Sequence, residues 1–277
     1  MSKFMRVALI IVGVGLILIG VAFWMGGQFG DLTQSMERMG LGETIERTFG
    51  YIRGNKVESG ELRPIEGAYQ IEASGITEIT IDWSNGDIVI ASGEVEMIEV
   101  HETGEVKDPD KYKMHWYRSG NTLKFTFAEK VLNFGFAQKK LEIIIPSEMP
   151  LEGVQINTMN SDIKIDVKEL RMLKVDSMGG DTTVHSDVAR VLYNSMAGNL
   201  EFYGHVDELR GDTMNGDLSL HLPEETGFVL EHSAMSGKVL IDVKTRKVED
   251  NYYYGDEKSI IRFETMNGDI SIKKLSR

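Results

Sequence analysis

The side chains best suited to chemistry stand at one fixed offset within a repeated stretch of this chain. Asp166, His185, Tyr203, His221, Asp242 and Lys273 each lie five residues past a position held by Gly or Ser. Stacked on parallel strands, they would form one outward stripe of carboxylates, imidazoles and a phenol. Such a stripe could hold a glycan by ring stacking and hydrogen bonding, or supply the acid and base of a polysaccharide-cleaving enzyme. A solvated polar face is the plainer reading. His185 and His221 would lie two coils apart, about 9.6 Å at the usual strand spacing. That is too far for easy sharing of one metal ion through bonds of ~2 Å. His101, His115, His205 and His232 have no ligand spacing. The chain contains no G-x-S-x-G, phosphate loop, zinc spacing or dinucleotide fingerprint. No catalytic residue, metal or cofactor is therefore assigned.

The offset is counted from a recurring phrase. Thr158-Met159-Asn160-Ser161-Asp162 returns as Ser177-Met178-Gly179-Gly180-Asp181, Ser195-Met196-Ala197-Gly198-Asn199 and Thr213-Met214-Asn215-Gly216-Asp217. It returns again as Ala234-Met235-Ser236-Gly237-Lys238 and Thr265-Met266-Asn267-Gly268-Asp269. Spacings of 19, 18, 18, 21 and 31 along the column from Ser161 to Gly268 indicate stacked coils. Trp83-Ser84-Asn85-Gly86-Asp87 is an early, divergent copy. Gly86, Gly180, Gly198, Gly216, Gly237 and Gly268 suit a turn with positive φ. Asp162, Asp181, Asp217 and Asp269 suit the capping of turn amides, with calcium binding the lesser alternative. The methionines are expected to fill space at the turn, a metal-binding thioether ladder being the lesser alternative.

Alternation after each turn predicts two inward columns. They are Ile163, Thr182, Leu200, Leu218, Val239 and Ile270, then Ile165, Val184, Phe202, Leu220, Ile241 and Ile272. A third column precedes the turn: Val154, Leu173, Val191, Leu209, Leu230 and Ile261. Each buried aliphatic side chain contributes about 1.5–3 kcal/mol, and no unit could bury its face alone. Coils are expected to stack in chain order. The distance from Gly86 to Ser161 leaves room for further early coils, modified by a hairpin around Arg118-Ser119-Gly120-Asn121. A polar turn is expected near Gly104–Asp110, and the run Ile143-Ile144-Ile145 suggests burial on both faces. Residues 244–257 stretch the last spacing and carry Tyr252, Tyr253 and Tyr254 in a charged loop, a candidate contact surface, with packing down onto the solenoid the equal alternative.

Val7 to Met25 carries no charge and follows Lys3 and Arg6. At ~1.5 Å per residue it reaches about 28 Å, enough to cross a bilayer. The preceding positive charges place the N-terminus inside and the remainder outside. A cleaved signal peptide is the alternative, although its apolar run is normally shorter. There is no cysteine, and the formal net charge of −13 argues against nucleic acid as a partner.

The strand ending Ile145-Pro146, the Leu151–Ile156 segment and the successive turn-Gly-Asp-Ile units resemble the bacterial family of putative adhesins. The anchor joined to such a domain resembles its LiaG-like members. That resemblance covers residues 70–275 and implies a β-helix-like fold, a Gram-positive cell envelope and a link to envelope stress. It brings no catalytic residues.

The expectation is an all-β protein, a single-stranded parallel β-helix or β-solenoid, right-handed by the crossover rule, with an N-terminal transmembrane helix. Residues 1–27 form the cytoplasmic tip and anchor, and 28–68 a juxtamembrane connector. Residues 69–150 form an irregular β region with early coils, and 151–277 the regular solenoid. The expected role is non-catalytic, accessory or sensory, with another envelope membrane protein or a wall polymer as partner. A glycan-binding module and a polysaccharide lyase or hydrolase are the alternatives.

Overall fold

The computed structural model describes residues 62–128 and 137–275. The apolar run 7–25 lies outside the described residues. Among those described, no helix is long and apolar enough to cross a membrane. The described residues are all-β, and their strands are linked by hydrogen bonds into one continuous sheet. The only helix among the described residues is the single turn α1 (Pro109–Tyr112), capped by Asp108.

Local sequence explains why this sheet folds around itself. In the long strand Ile163–Gly179, alternation buries Ile163, Ile165 and Val167 while Lys164 and Asp166 stay exposed. Lys168-Glu169 and Arg171-Met172 are then exposed back to back, which resets the phase. The strand turns a corner there and continues on a second face with Leu173, Val175 and Ser177 inward. The repeated phrase makes the other corner. Each coil therefore has one limb before the phrase and one after it, and equivalent limbs pair in parallel.

Numbered along the chain, the first strands are β1 (Arg63–Ile71), β2 (Glu78–Asp82), β3 (Ile88–Gly93) and β4 (Ile98–Val106). Next come β5 (His115–Ser119), β6 (Thr122–Thr126), β7 (Gln138–Pro146), β8 (Gly153–Asn160), β9 (Ile163–Gly179) and β10 (Thr182–Ala197). β11 (Leu200–Tyr203), β12 (Val206–Asn215), β13 (Leu218–Leu222), β14 (Phe228–Ser236) and β15 (Val239–Ile241) follow. The last are β16 (Arg246–Val248), β17 (Asn251–Tyr254), β18 (Ser259–Asn267) and β19 (Ile270–Lys274).

The coils do not stack in chain order. The coil β2–β3 sits between β6–β7 on one side and β8–β9 on the other. The Asn85↔Asn160 bridge puts the Gly86 turn directly beside the Ser161 turn, so the early coil of that interval, β6–β7, lies on the far side of β2–β3 and not between the two turns. The insertion builds outward instead. β5 and β6 form the expected hairpin, β4 pairs antiparallel with β7, and β1 with β4. β4 continues through Gly104 to Val106 where a turn was expected. Ile143 and Ile145 are buried while Ile144 is only half-buried, so β7 has one core face.

The same inversion occurs at the other end. β12–β13 is followed by β18–β19, and β14–β15 is outermost. The inward columns are buried as expected except Val239 and Ile241, which are half-exposed because their coil ends the stack. Shape specifies the interleaving: the Phe263 ring lies where a Cβ on Gly211 would be, and Gly211 is its neighbour in register. Sequential stacking would put His232 over that space. Residues 244–257 are a hairpin rather than a loop, with β17 antiparallel to β14 and β16 to β17.

The cap at the β7 end contains a fully buried ion pair. Lys139 and Glu102 occupy core-facing positions of β7 and β4, and both side chains are 0% exposed. The Lys139 Nζ donates to Glu102 Oε1 and to the carbonyls of Tyr112 and Phe127, each at 2.5 Å. It lies 4.1 Å from the Phe127 ring centre and 4.8 Å from that of Trp83. Glu102 also accepts from the Met114 amide at 3.0 Å. Burial pushes the Lys139 pKa down to about 8, opposed by the attraction of Glu102.

Three outcomes follow from this packing. The Cβ of Gly216→Ala would collide with the carbonyl of Gly198, so urea unfolding should show a loss of about 1–3 kcal/mol or more. Glu102→Ala leaves a buried ammonium unpaired and should cost about 3–5 kcal/mol. Because the folded Lys139 pKa is below its unfolded value, the unfolded chain binds the extra proton between about pH 8 and the ordinary lysine value. This residue's contribution to stability therefore rises with pH across that window and is flat below it; Lys139→Met should abolish that rise.

Candidate functional site

The turns that close the coils fix everything displayed beside them. Asp162 Oδ1 accepts from the Asp181 amide at 2.9 Å, and Asp181 Oδ1 from Asn199 at 2.8 Å. Asn199 Oδ1 accepts from Asp217 at 2.8 Å, Asp217 from Asp269 at 2.7 Å, and Asp269 from Lys238 at 2.7 Å. Each side chain thus caps the next coil's amide rather than one in its own turn. The glycines are needed mainly for space. At Gly198 and Gly216 a Cβ would overlap the carbonyl of the coil below, and only Gly198, at φ +143°, is also in the left-handed region.

The outward stripe is contiguous, in the order Asp166, His185, Tyr203, His221, Lys273. Asp242 follows on the outermost coil, where its Oδ2 accepts from the Lys274 amide at 3.2 Å. The rings of His185 and Tyr203 meet edge to face with centres 4.6 Å apart. Tyr203 and His221 are stacked at 4.2 Å. Both faces of the tyrosine are covered, which leaves ring edges and polar atoms to meet a partner. Tyr203 donates to Glu201 Oε1 at 2.6 Å, and this bond, with burial second, raises the phenol's pKa. Burial, then Lys273, lowers the pKa of His221, against the pull of Glu201 and Asp242. At neutral pH both are uncharged hydrogen-bonding groups. Beside them lies a shallow depression of about 280 Å³ lined by Asp181, Thr183, Asn199, Glu201, Asp217 and Ser219.

The three tyrosines lie on β17. Tyr254 packs against Phe228, with ring centres 5.6 Å apart, and beneath Lys274 at 4.6 Å. Tyr252 lies 5.7 Å from the His232 ring and 4.9 Å from Lys247. Tyr253 pairs with Val229 and stacks with Arg246 at 4.4 Å. All three are half-buried, far along the stack from Asp166 and on the other limb from the stripe.

The methionines reverse their expected placement. Thr158, Ser177, Ser195, Thr213 and Thr265 face inward, and the following methionine faces out. Met178, Met196 and Met235 are 40%, 49% and 55% exposed.

Two arrangements were missed in the sequence. His205 bridges Asp207 (3.0 Å) and the Thr226 hydroxyl (3.3 Å), resembling a nucleophile–base–acid chain. Thr226 is only 5% exposed, so its hydroxyl cannot meet a substrate. Asp212 and Glu264 are direct neighbours in register on β12 and β18. Burial raises both pKa values; Arg210 opposes this at Asp212, and Asp212 adds to it at Glu264. Their columns reveal this pair only once the inverted coil order is known. Among the described residues, no group of His, Cys, Asp and Glu is arranged to hold a metal ion.

Together these features define a solenoid-like all-β scaffold with a polar, pre-organised face. Residues 76–210 match the family model described as Toastrack DUF4097. A putative cell adhesion protein from Clostridium sporogenes is similar with a TM-score of 0.47 and 12% identity, over 77% of this chain and 100% of that one. A putative adhesin from Bacteroides fragilis gives 0.40 and 17%, over 77% and 97%. A putative lipid binding protein from Parabacteroides distasonis gives 0.34 and 13%, over 78% and 98%. No curated protein matches the chain.

The carboxylate pair gives a test of this geometry. Raised folded pKa values mean that Asp212 and Glu264 favour the folded state when protonated, and lose that contribution as pH rises through the carboxylate range. Glu264→Gln should therefore raise the melting temperature at neutral pH. The gain should shrink as pH falls toward about 4.

Proposed function

We propose that this chain is a non-catalytic binding protein of the bacterial cell envelope. Residues 7–25 anchor it as a single membrane span, and the solenoid, right-handed by the crossover rule, stands outside. The LiaG-like resemblance supports an accessory or sensory role tied to envelope stress. The partner is another envelope protein or a wall polymer, held at the face carrying His185, Tyr203 and His221.

The carrying observation is the ring ladder beside the depression. Its rings are locked by one another, and Tyr203 is further fixed by Glu201. Such a surface loses little side-chain freedom on binding. The covered faces of Tyr203 favour recognition by hydrogen bonds over sugar stacking, which ranks a glycan-stacking module second. An acid–base enzyme finds less support. Asp181 and Asp217 each commit an oxygen to a neighbouring amide, and Asp166 and Asp242 lie at opposite ends of the stripe, beyond the ~5–9.5 Å that paired glycosidase carboxylates need.

Photo-crosslinking of the intact chain in cells, from a probe at Thr183, should capture a partner. His185→Ala/Tyr203→Ala/His221→Ala should lower the yield at least tenfold while leaving the melting temperature nearly unchanged. Undiminished capture by a folded triple variant would sink this assignment of the face.

A further inference from the structure

We infer that the outward methionines form a thioether ladder that binds a soft monovalent cation of the Cu(I) or Ag(I) type. Met159, Met178, Met196, Met214, Met266 and Met235 occupy the same position in consecutive coils. The register on either side fixes this: Thr158↔Ser177 and Asn160↔Gly179 flank the first pair, and Ser177↔Ser195 aligns the next. Ser195↔Thr213 and Ala197↔Asn215 flank the third pair, Thr213↔Thr265 and Asn215↔Asn267 the fourth, and Ala234↔Thr265 and Ser236↔Asn267 the last.

Geometry and chemistry then agree. Parallel neighbours are ~4.8 Å apart, so an ion midway between two sulfurs placed at strand spacing would lie ~2.4 Å from each. For comparison, a zinc–thiolate bond is ~2.3 Å. Neutral thioethers select soft cations such as Cu(I), and three rotatable bonds let each side chain adjust. The Met159 sulfur reaches along the column. In the Gly86 coil the equivalent residue is Ser84, and its hydroxyl lies 3.9 Å from the Met159 Sδ. These methionines are not needed to fill the core, because Ser and Thr hold the inward positions beside them and Met178, Met196 and Met235 are well exposed. The net charge of −13 favours a cation over an anion at this surface.

Anaerobic titration of the intact chain with Cu(I), in competition with a colorimetric Cu(I) chelator, tests the ladder. Thioethers do not titrate in the physiological range, so affinity should match at about pH 7.5 and about pH 5.5. A histidine site would lose affinity over that interval. Met178→Leu/Met196→Leu/Met214→Leu/Met266→Leu should weaken binding at least tenfold with unchanged circular dichroism. If that variant does not fold, Met196→Leu/Met214→Leu is read in the same way. X-ray absorption of the Cu(I) complex should show sulfur neighbours at about 2.3 Å. Unchanged affinity in a folded leucine variant, affinity lost at the lower pH, or nitrogen and oxygen neighbours alone would each overturn the proposal.

Discussion

The structure depends on how closely successive coils approach at one corner. There, backbone rests on backbone: the carbonyl of Gly180 lies where a Gly198 side chain would begin, and the pattern repeats through Gly216, Gly268 and Gly237. From Gly180 onward, a side chain in that column would push the limbs apart on both faces at once. The Asp and Asn side chains beside it turn the close approach into a directional one, because each is aimed at the next amide. Register on both limbs follows from this corner. The aliphatic columns supply most of the burial, and the corner decides which side chains share a column.

That division explains what the sequence revealed. The period, the limbs and most of the core were legible because they depend on residues close together in the chain, whereas the Asp side chains, expected to cap their own turns, cap amides 18 to 52 residues away. Leu200, Phe202 and Leu209 sit as their alternation required. The coil order was not legible, since the coils around Gly237 and Gly268 carry nearly the same phrase. What separates them is a long-range fit between Phe263 and Gly211. The buried Lys139 was half-legible: it shares the parity of Leu141, Ile143 and Ile145, as Glu102 shares that of Ile98 and Val100. Two charged residues in phase with core positions are the sequence signature of such a pair, visible once β4 and β7 are known to be partners.

The candidate face was legible as a column, although its chemistry was not. Spacing places His185, Tyr203 and His221 in a row, and strand separation brings rings that close together. Only the folded structure reveals that the stacking runs along the solenoid axis, covers the tyrosine and leaves edges outward. The methionines show the converse. An apolar residue beside a turn reads naturally as filling, but the small hydroxyl residue before it takes the inner position and leaves the sulfur outside.

The interleaved stack also bears on how the chain is made. A ribosome releases residues 228–241 before 259–274, yet the later segment lies beneath the earlier one. Repeat proteins ordinarily extend by adding each new unit to the last, and synthesis favours folding from the N-terminal side. Here the coil of residues 228–241 must stay undocked until residues 259–274 arrive. Residues 259–274 act as a keystone: the coil of residues 228–241 finds its seat only after they have taken theirs.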